Sequence, residues 1–145
     1  MNEALHHIRQ KYFLLLNNTI ESNGSNVPAY NKVPSDATEP FIKIYSVGVS
    51  EVDQNQDSFN LECTTRIEVV TGFDGDSGGE LDLNRIVDSV LNIIRKRSTN
   101  YIDLSSNNFS VYTTVINSIS YFEDDLEDKS YFRAIIEVVN RVEKI

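Results

Sequence analysis

Residues Ser58 to Thr71, SFNLECTTRIEVVT, alternate in character position by position. Phe59, Leu61, Cys63, Thr65, Ile67 and Val69 share one face, and Asn60, Glu62, Thr64, Arg66 and Glu68 share the other. A period of two held this long predicts a strand with one buried face. At ~3.3 Å per residue the strand spans roughly 40 Å, about twice the usual length. Either it bends, or its ends project and pair with something outside the subunit. The rest of the chain is read around it, as an antiparallel sheet that helps to build an assembly.

The chain has 145 residues, of which 40% are hydrophobic and 24% charged. That composition predicts one globular domain over residues 1–145, large enough for a single core. The longest apolar run, Tyr12 to Leu16, is far too short for a bilayer, so no membrane contact is expected. The opening MNEALHHIRQKYF lacks a charged region followed by an apolar one, and no signal peptide is expected. The lone cysteine, Cys63, falls on the apolar face of the long strand and is expected to be buried. A net charge of −9 argues against a protein that grips nucleic acid through a basic face. It leaves room for one that DNA slides past, because repulsion would prevent sticking.

Taken in order, Glu3 to Ile20 predicts a helix through Leu5, Ile8, Tyr12, Leu15 or Leu16, and Thr19 or Ile20, stopped near Gly24. Pro28, Pro34 and Pro40 rule out a central strand between them, leaving a short edge strand over Ala29 to Val33. Phe41 to Val49 predicts a strand, and Ser50 to Asp57 a polar loop that joins it to the long one as a hairpin. Gly72 to Gly79, GFDGDSGG, is a loop. Leu81 to Arg97 is the clearest helix, with Leu83, Ile86, Val87, Val90, Ile93 and Ile94 as its stripe. Glu80 and Asp82 near its start and Arg95 to Arg97 at its end suit the helix dipole.

Ser98 to Asn108 is a polar loop, and Phe109 to Phe122 returns to period two through Val111, Thr113, Val115, Asn117, Ile119 and Tyr121. Glu123 to Lys129 is an acidic turn. Tyr131 to Glu143 fits a helix by spacing, but its β-branched content after a strand and turn favours a hairpin. The expected fold is α+β: an antiparallel sheet of about four long strands with two amphipathic helices on one face.

No constellation of residues identifies an enzyme. Asp53, Asn55 and Asp57 open like an EF-hand, but Ser58 and Thr64 stand where the glycine and glutamate belong. Asp74, Asp76 and Gly79 make a second partial match, with Arg85 at the glutamate position. His6 and His7 are adjacent, about 100° apart on a helix, with no third histidine to complete a zinc site. DGDSGG around Ser77 is similar to the nucleophile region of trypsin-like proteases, but the all-β context is missing, and no lysine follows to make a phosphate loop. No cofactor, metal or small-molecule substrate is expected. The candidate interaction residues are the acidic tip Glu123, Asp124, Asp125, Leu126, Glu127 and Asp128, with Asp53 and Asp57 in the first hairpin and Glu62, Arg66 and Glu68 on the polar face of the long strand. The tip serves solubility as a hydrated turn, or else faces a basic partner or a DNA passage.

Several phrases carry a family likeness: a first helix, Val27-Pro-Ala-Tyr-Asn-Lys-Val-Pro34, Pro40-Phe-Ile-Lys-Ile44, a long strand ending Val69-Val-Thr, a second helix and a closing Tyr131-Phe-Arg-Ala-Ile-Ile136. In this order, over nearly the whole chain, they resemble the tail terminator (tail completion, head–tail joining) proteins of tailed bacteriophages. The Ser98 to Asn108 loop and the acidic tip depart from that pattern. The resemblance implies a homo-oligomeric ring, commonly a hexamer with a dodecamer as the other option, between head connector and tail tube. It implies neighbouring neck and tail proteins as partners, a channel for DNA without sequence-specific binding, and a place in the virion after synthesis in the host cytoplasm. On this reading the acidic faces line the channel and the long hairpins make subunit contacts. The competing expectation is a small acidic inhibitor-type module that blocks a basic partner.

Overall fold

The alternating stretch becomes β5 (Phe59–Asp74), a strand of 16 residues at the centre of a five-stranded sheet. The structure is a computed structural model and describes residues 3–54, 59–75, 78–98, 101–126 and 128–145. Before β5 come α1 (Leu5–Leu16), β1 (Glu21–Ser22), β2 (Ser25–Asn26), β3 (Ala29–Tyr30) and β4 (Phe41–Gln54). After it come α2 (Leu81–Ile94), a short 3-10 turn (Ser105–Asn107), β6 (Phe109–Asp125) and β7 (Lys129–Lys144). The strand order is β3-β4-β5-β7-β6, antiparallel except for β3, which runs parallel to β4. The sheet is therefore mixed and has five strands, where four antiparallel ones were expected.

Packing follows the two periods. Leu61, Cys63, Thr65, Ile67 and Val69 of β5 are fully buried beneath the helices, as are Ala134, Ile136, Val138, Asn140 and Val142 of β7. That strict alternation in β7 decides its state: a strand puts every second residue into the core, which a helix cannot do. Helix α1 lies across β4 and β5, and α2 across β5 and β7. Their buried residues are Leu5, Ile8, Tyr12 and Leu16, then Leu83, Ile86, Val87, Val90 and Ile94. At ~1.5 Å rise per residue neither helix exceeds roughly 21 Å, against about 50 Å for the long strands. Alternate residues stay buried from Leu61 to Thr71 in β5 and from Ser130 to Val142 in β7. The outer strands are the bare ones, exposed from Val47 to Glu51 in β4 and from Ser120 to Asp125 in β6. Among the described residues no helix is long and apolar enough to cross a membrane.

Several expected boundaries move, for local reasons. Helix α1 ends at Leu16, not Ile20, because Asn17 is already extended at ψ 116 and Asn18 follows in the left-handed region at φ 58. Gly24 belongs to a hairpin, not a helix end: Asn23 and Gly24 have φ 52 and 83 and join β1 to β2, a two-residue turn with both φ positive. The polar stretch expected as a loop after Val49 is strand as far as Gln54. Gly72, Phe73 and Asp74, expected in the glycine loop, extend β5 beyond Thr71. Helix α2 stops at Ile94, so Arg95 to Arg97 lie past it, and the Arg95 guanidinium donates to the carbonyls of Arg97 and Ser98. The edge strand foreseen over Ala29 to Val33 shortens to Ala29–Tyr30.

The alternation expected from Phe109 to Tyr121 does not hold through the strand. Bulges at Tyr112 and Asn117 each insert an extra residue and swap the faces. Phe109 and Thr114 are buried, whereas Val115 is 46% exposed.

Candidate functional site

The helices leave the other face of the sheet uncovered, and β5 and β7 fill it with charges. Arg66 stands directly opposite Glu137, and Glu62 opposite Arg141. Their ion pairs close at 3.1 Å in both cases. Glu68 reaches diagonally to Arg133 at 3.0 Å, and Arg133 also holds Asp124 of β6 at 2.8 Å. The Arg133 guanidinium carbon lies 5.3 Å from the centroid of the Phe122 ring. The bulge at Asn117 has a use here: it turns that side chain to the open face, where Nδ2 donates to Glu137 Oε2 at 2.6 Å.

These are three separate clusters, which together pair three guanidinium groups (Arg66, Arg133, Arg141) with four carboxylates (Glu62, Glu68, Asp124, Glu137). The polar face is charge-paired, where an acidic one was expected. Each expected residue of β5 is there, but each is tied to a β7 or β6 partner. Arginines 133 and 141 and Glu137 were missed from the sequence. Their signal was available, because they fall at odd positions of β7, every fourth residue, opposite the polar positions of β5.

Hydrogen bonds from Asn117 and then Arg66 hold the Glu137 carboxyl below its ordinary range. A lowered folded pKa stabilises the protein above the unfolded value and loses that effect as pH falls through the folded one. Acid titration of unfolding should therefore show a loss of stability below about pH 4.3, the ordinary glutamate value. Glu137→Gln should remove part of that slope and cost under about 1 kcal/mol at neutral pH, because the pair is partly solvated. An unchanged acid limb in the variant would remove Glu137 from the account.

The hairpin tips lie at opposite ends of the sheet. At one end β4 and β5 meet, with Asp53 opposite Asn60 in the ladder, while Asp57 lies outside the described residues. The first partial EF-hand match shares that fate, since Asn55 and Asp57 are both outside; so does the second, through Asp76. At the other end Glu123, Asp124 and Asp125 are strand residues of β6 and not turn residues, since β6 runs through Asp125. Leu126 and Lys129 close the turn with reciprocal backbone bonds of 2.8 and 3.3 Å. Leu126 is 62% exposed, and Glu127 is outside the described residues. The glycine loop after β5 docks onto this tip: Gly75 N–H donates to the Asp128 carbonyl at 3.0 Å, and Ser130 Oγ donates to the Gly75 carbonyl at 2.9 Å.

Elsewhere the chemistry is quiet. A groove of about 480 Å³ beside β1 and β2 holds Glu39 and Asp82. Both carboxylates are engaged, by Lys129 Nζ at 3.0 Å and Asn23 Nδ2 at 3.2 Å. Among the described residues no three His, Cys, Asp or Glu side chains are grouped to hold a metal ion. Cys63 is buried and its thiol is pushed up to about 12 by that burial, so it is a packing residue and not a nucleophile at neutral pH. Comparison with models of known protein families gives no match, and comparison with curated protein sequences gives none either.

Proposed function

We propose that this chain is a structural virion subunit of a tailed bacteriophage, forming a ring at the head–tail junction as a tail terminator or neck ring. The ring joins connector to tail and leaves a channel through which DNA passes. The observation that carries the reading is the form of the sheet. Strands of 14, 16, 16 and 17 residues make a sheet that two helices cover on one face only, with β4 and β6 bare over residues 47–51 and 120–125. Such a sheet suits the wall of a tube, with helices outside and the open face inward. The resemblance in sequence order, from Val27-Pro-Ala-Tyr30 to Tyr131-Phe-Arg-Ala-Ile-Ile136, supports the same reading.

The charge distribution fits a passage better than a grip. With Arg66, Arg133 and Arg141 each bonded to a carboxylate, the described residues of this face offer DNA no row of free cations, so counterion release supplies little affinity. The acidic tips add repulsion at the rims. Subunits made in the host bacterial cytoplasm would join neck and tail proteins in the virion.

Native mass spectrometry and light scattering at high concentration, followed by negative-stain imaging, test the proposal. The expected result is a hexameric or dodecameric ring with a central hole. A monomer that stays monomeric even with the neighbouring neck proteins overturns it. The same monomer, if it captures a basic partner through the Glu123–Asp125 end, would be an acidic blocking module.

A further inference from the structure

The two sheet edges are built unlike those of a protein that stays alone. Beyond Ile44, whose carbonyl accepts from Asn31 Nδ2 at 2.9 Å, the outer side of β4 pairs with no strand among the described residues. The outer side of β6 is likewise an edge of the sheet. Monomeric proteins blunt such edges with charged residues, lysine above all, or with proline. Here Tyr45 to Ser50 and Thr113 to Phe122 contain neither a charged residue nor a proline.

Exposed apolar residues gather on the same strands. Val47 and Val49 of β4 are 47% and 36% exposed, and Val115, Tyr121 and Phe122 of β6 are 46%, 47% and 43% exposed. Charges come only beyond these stretches, at Glu51 and Asp53 on β4 and Glu123 to Asp125 on β6, and both edges also carry bulges at matched spacing. Register shifts fall at Val47 and Val52 on β4 and at Tyr112 and Asn117 on β6, five residues apart in each case (52 − 47 and 117 − 112). Bulges bend and twist a strand, so equal spacing gives the two edges the same contour.

Strand direction supplies the last part. Along β4, β5, β7 and β6 the direction alternates, so the two outermost long strands are antiparallel to each other. A copy set alongside by rotation about an axis running with the strands presents its β4 antiparallel to β6. The alternation then continues across the joint without a break.

We infer that β6 of one copy pairs antiparallel with the Tyr45–Gln54 edge of β4 in the next copy. The contact is heterologous, so it generates a ring when the rotation closes. The open faces of successive copies become one barrel wall with no free edge. The inference rests on the ring-forming reading and names the contact that closes the ring.

Thiol cross-linking tests it directly, because Cys63 is buried. Ser50→Cys on β4 and Ser118→Cys on β6 place thiols at exposed positions of the two edges. A short bis-maleimide should link a mixture of the two single variants into covalent dimers and leave each variant alone unlinked. The double variant should give a ladder that ends at the ring number. Val115→Lys should abolish assembly while leaving the circular dichroism spectrum and melting temperature within a few degrees of the parent. Rings seen by microscopy without a mixed cross-link overturn the edge contact and leave the ring standing. Linkage of Ser118→Cys to itself replaces it with a two-fold pairing through β6. A chain with no self-association at any concentration overturns the contact outright.

Discussion

Tyr12→Ala should destabilise the protein by about 3–5 kcal/mol, the range for deleting a large aromatic from a core. Tyr12 is completely buried and projects from α1 into the centre of the sheet. Its hydroxyl donates to Asn140 Oδ1 of β7 at 3.2 Å, and Thr114 Oγ1 of β6 donates to the same oxygen at 2.8 Å. One helix and two strands thus meet at a single amide. Tyr12→Phe keeps the ring and removes only the hydroxyl, and Asn140 Oδ1 retains its bond from Thr114. That variant should lose about 1 kcal/mol. Urea unfolding of both variants separates packing from hydrogen bonding; equal losses would show that the hydroxyl and not the ring holds the junction.

The same residue leaves a mark at high pH. Burial pushes the Tyr12 hydroxyl up to about 12. The unfolded side chain ionises near pH 10, so stability that is intact below that value is lost as pH rises toward the folded one. Tyr12→Phe should remove this part of the alkaline slope.

Phe109→Ala should also cost about 3–5 kcal/mol, but the damage should be uneven. Of the 17 residues of β6, only Phe109 and Thr114 are buried. The Phe109 ring is tilted against His7 of α1 at 6.0 Å between centroids, and the Lys144 ammonium sits 5.1 Å from its centre. Its amide donates to the Leu104 carbonyl at 3.2 Å, which fixes the start of the strand. Without the ring, β6 keeps its β7 ladder, the Thr114 bond to Asn140 and only the half-buried contacts of Val111, Ile116 and Ile119 with the core. Hydrogen exchange should accelerate in β6 well before β5, since local opening follows local burial. A uniform loss of protection across the sheet would mean that β6 has no independent opening and that Phe109 serves the core as a whole.

Asn140 shows what pattern reading leaves out. Its place in the Tyr131 to Glu143 alternation marks it for the buried face, yet nothing nearby in sequence supplies its partners. Tyr12 lies 128 residues away and Thr114 lies 26 away. The amide nitrogen of Asn140 and the hydroxyl of Thr65, on adjacent strands, have no hydrogen-bond partner among the described residues. The ion-paired face poses the same problem. Glu62, Arg66 and Glu68 read as exposed polar positions, and only the register of β5 against β7 turns them into bonded pairs.

The long central strand, both amphipathic helices and the one-sided character of the sheet are legible in the chain alone, because side chains point in and out with the backbone repeat. The closing segment is legible as a strand only through its β-branched content and its place after a strand and turn, since its spacing fits a helix as well. Only the tertiary structure decided the strand order, the parallel β3, the bulges that swap the faces of β6 and the neutralisation of the polar face. Each depends on which strand lies beside which and in what register. A residue left unpaired in a ladder has no local mark in the sequence, yet it moves the side chains after it to the other face until the next bulge.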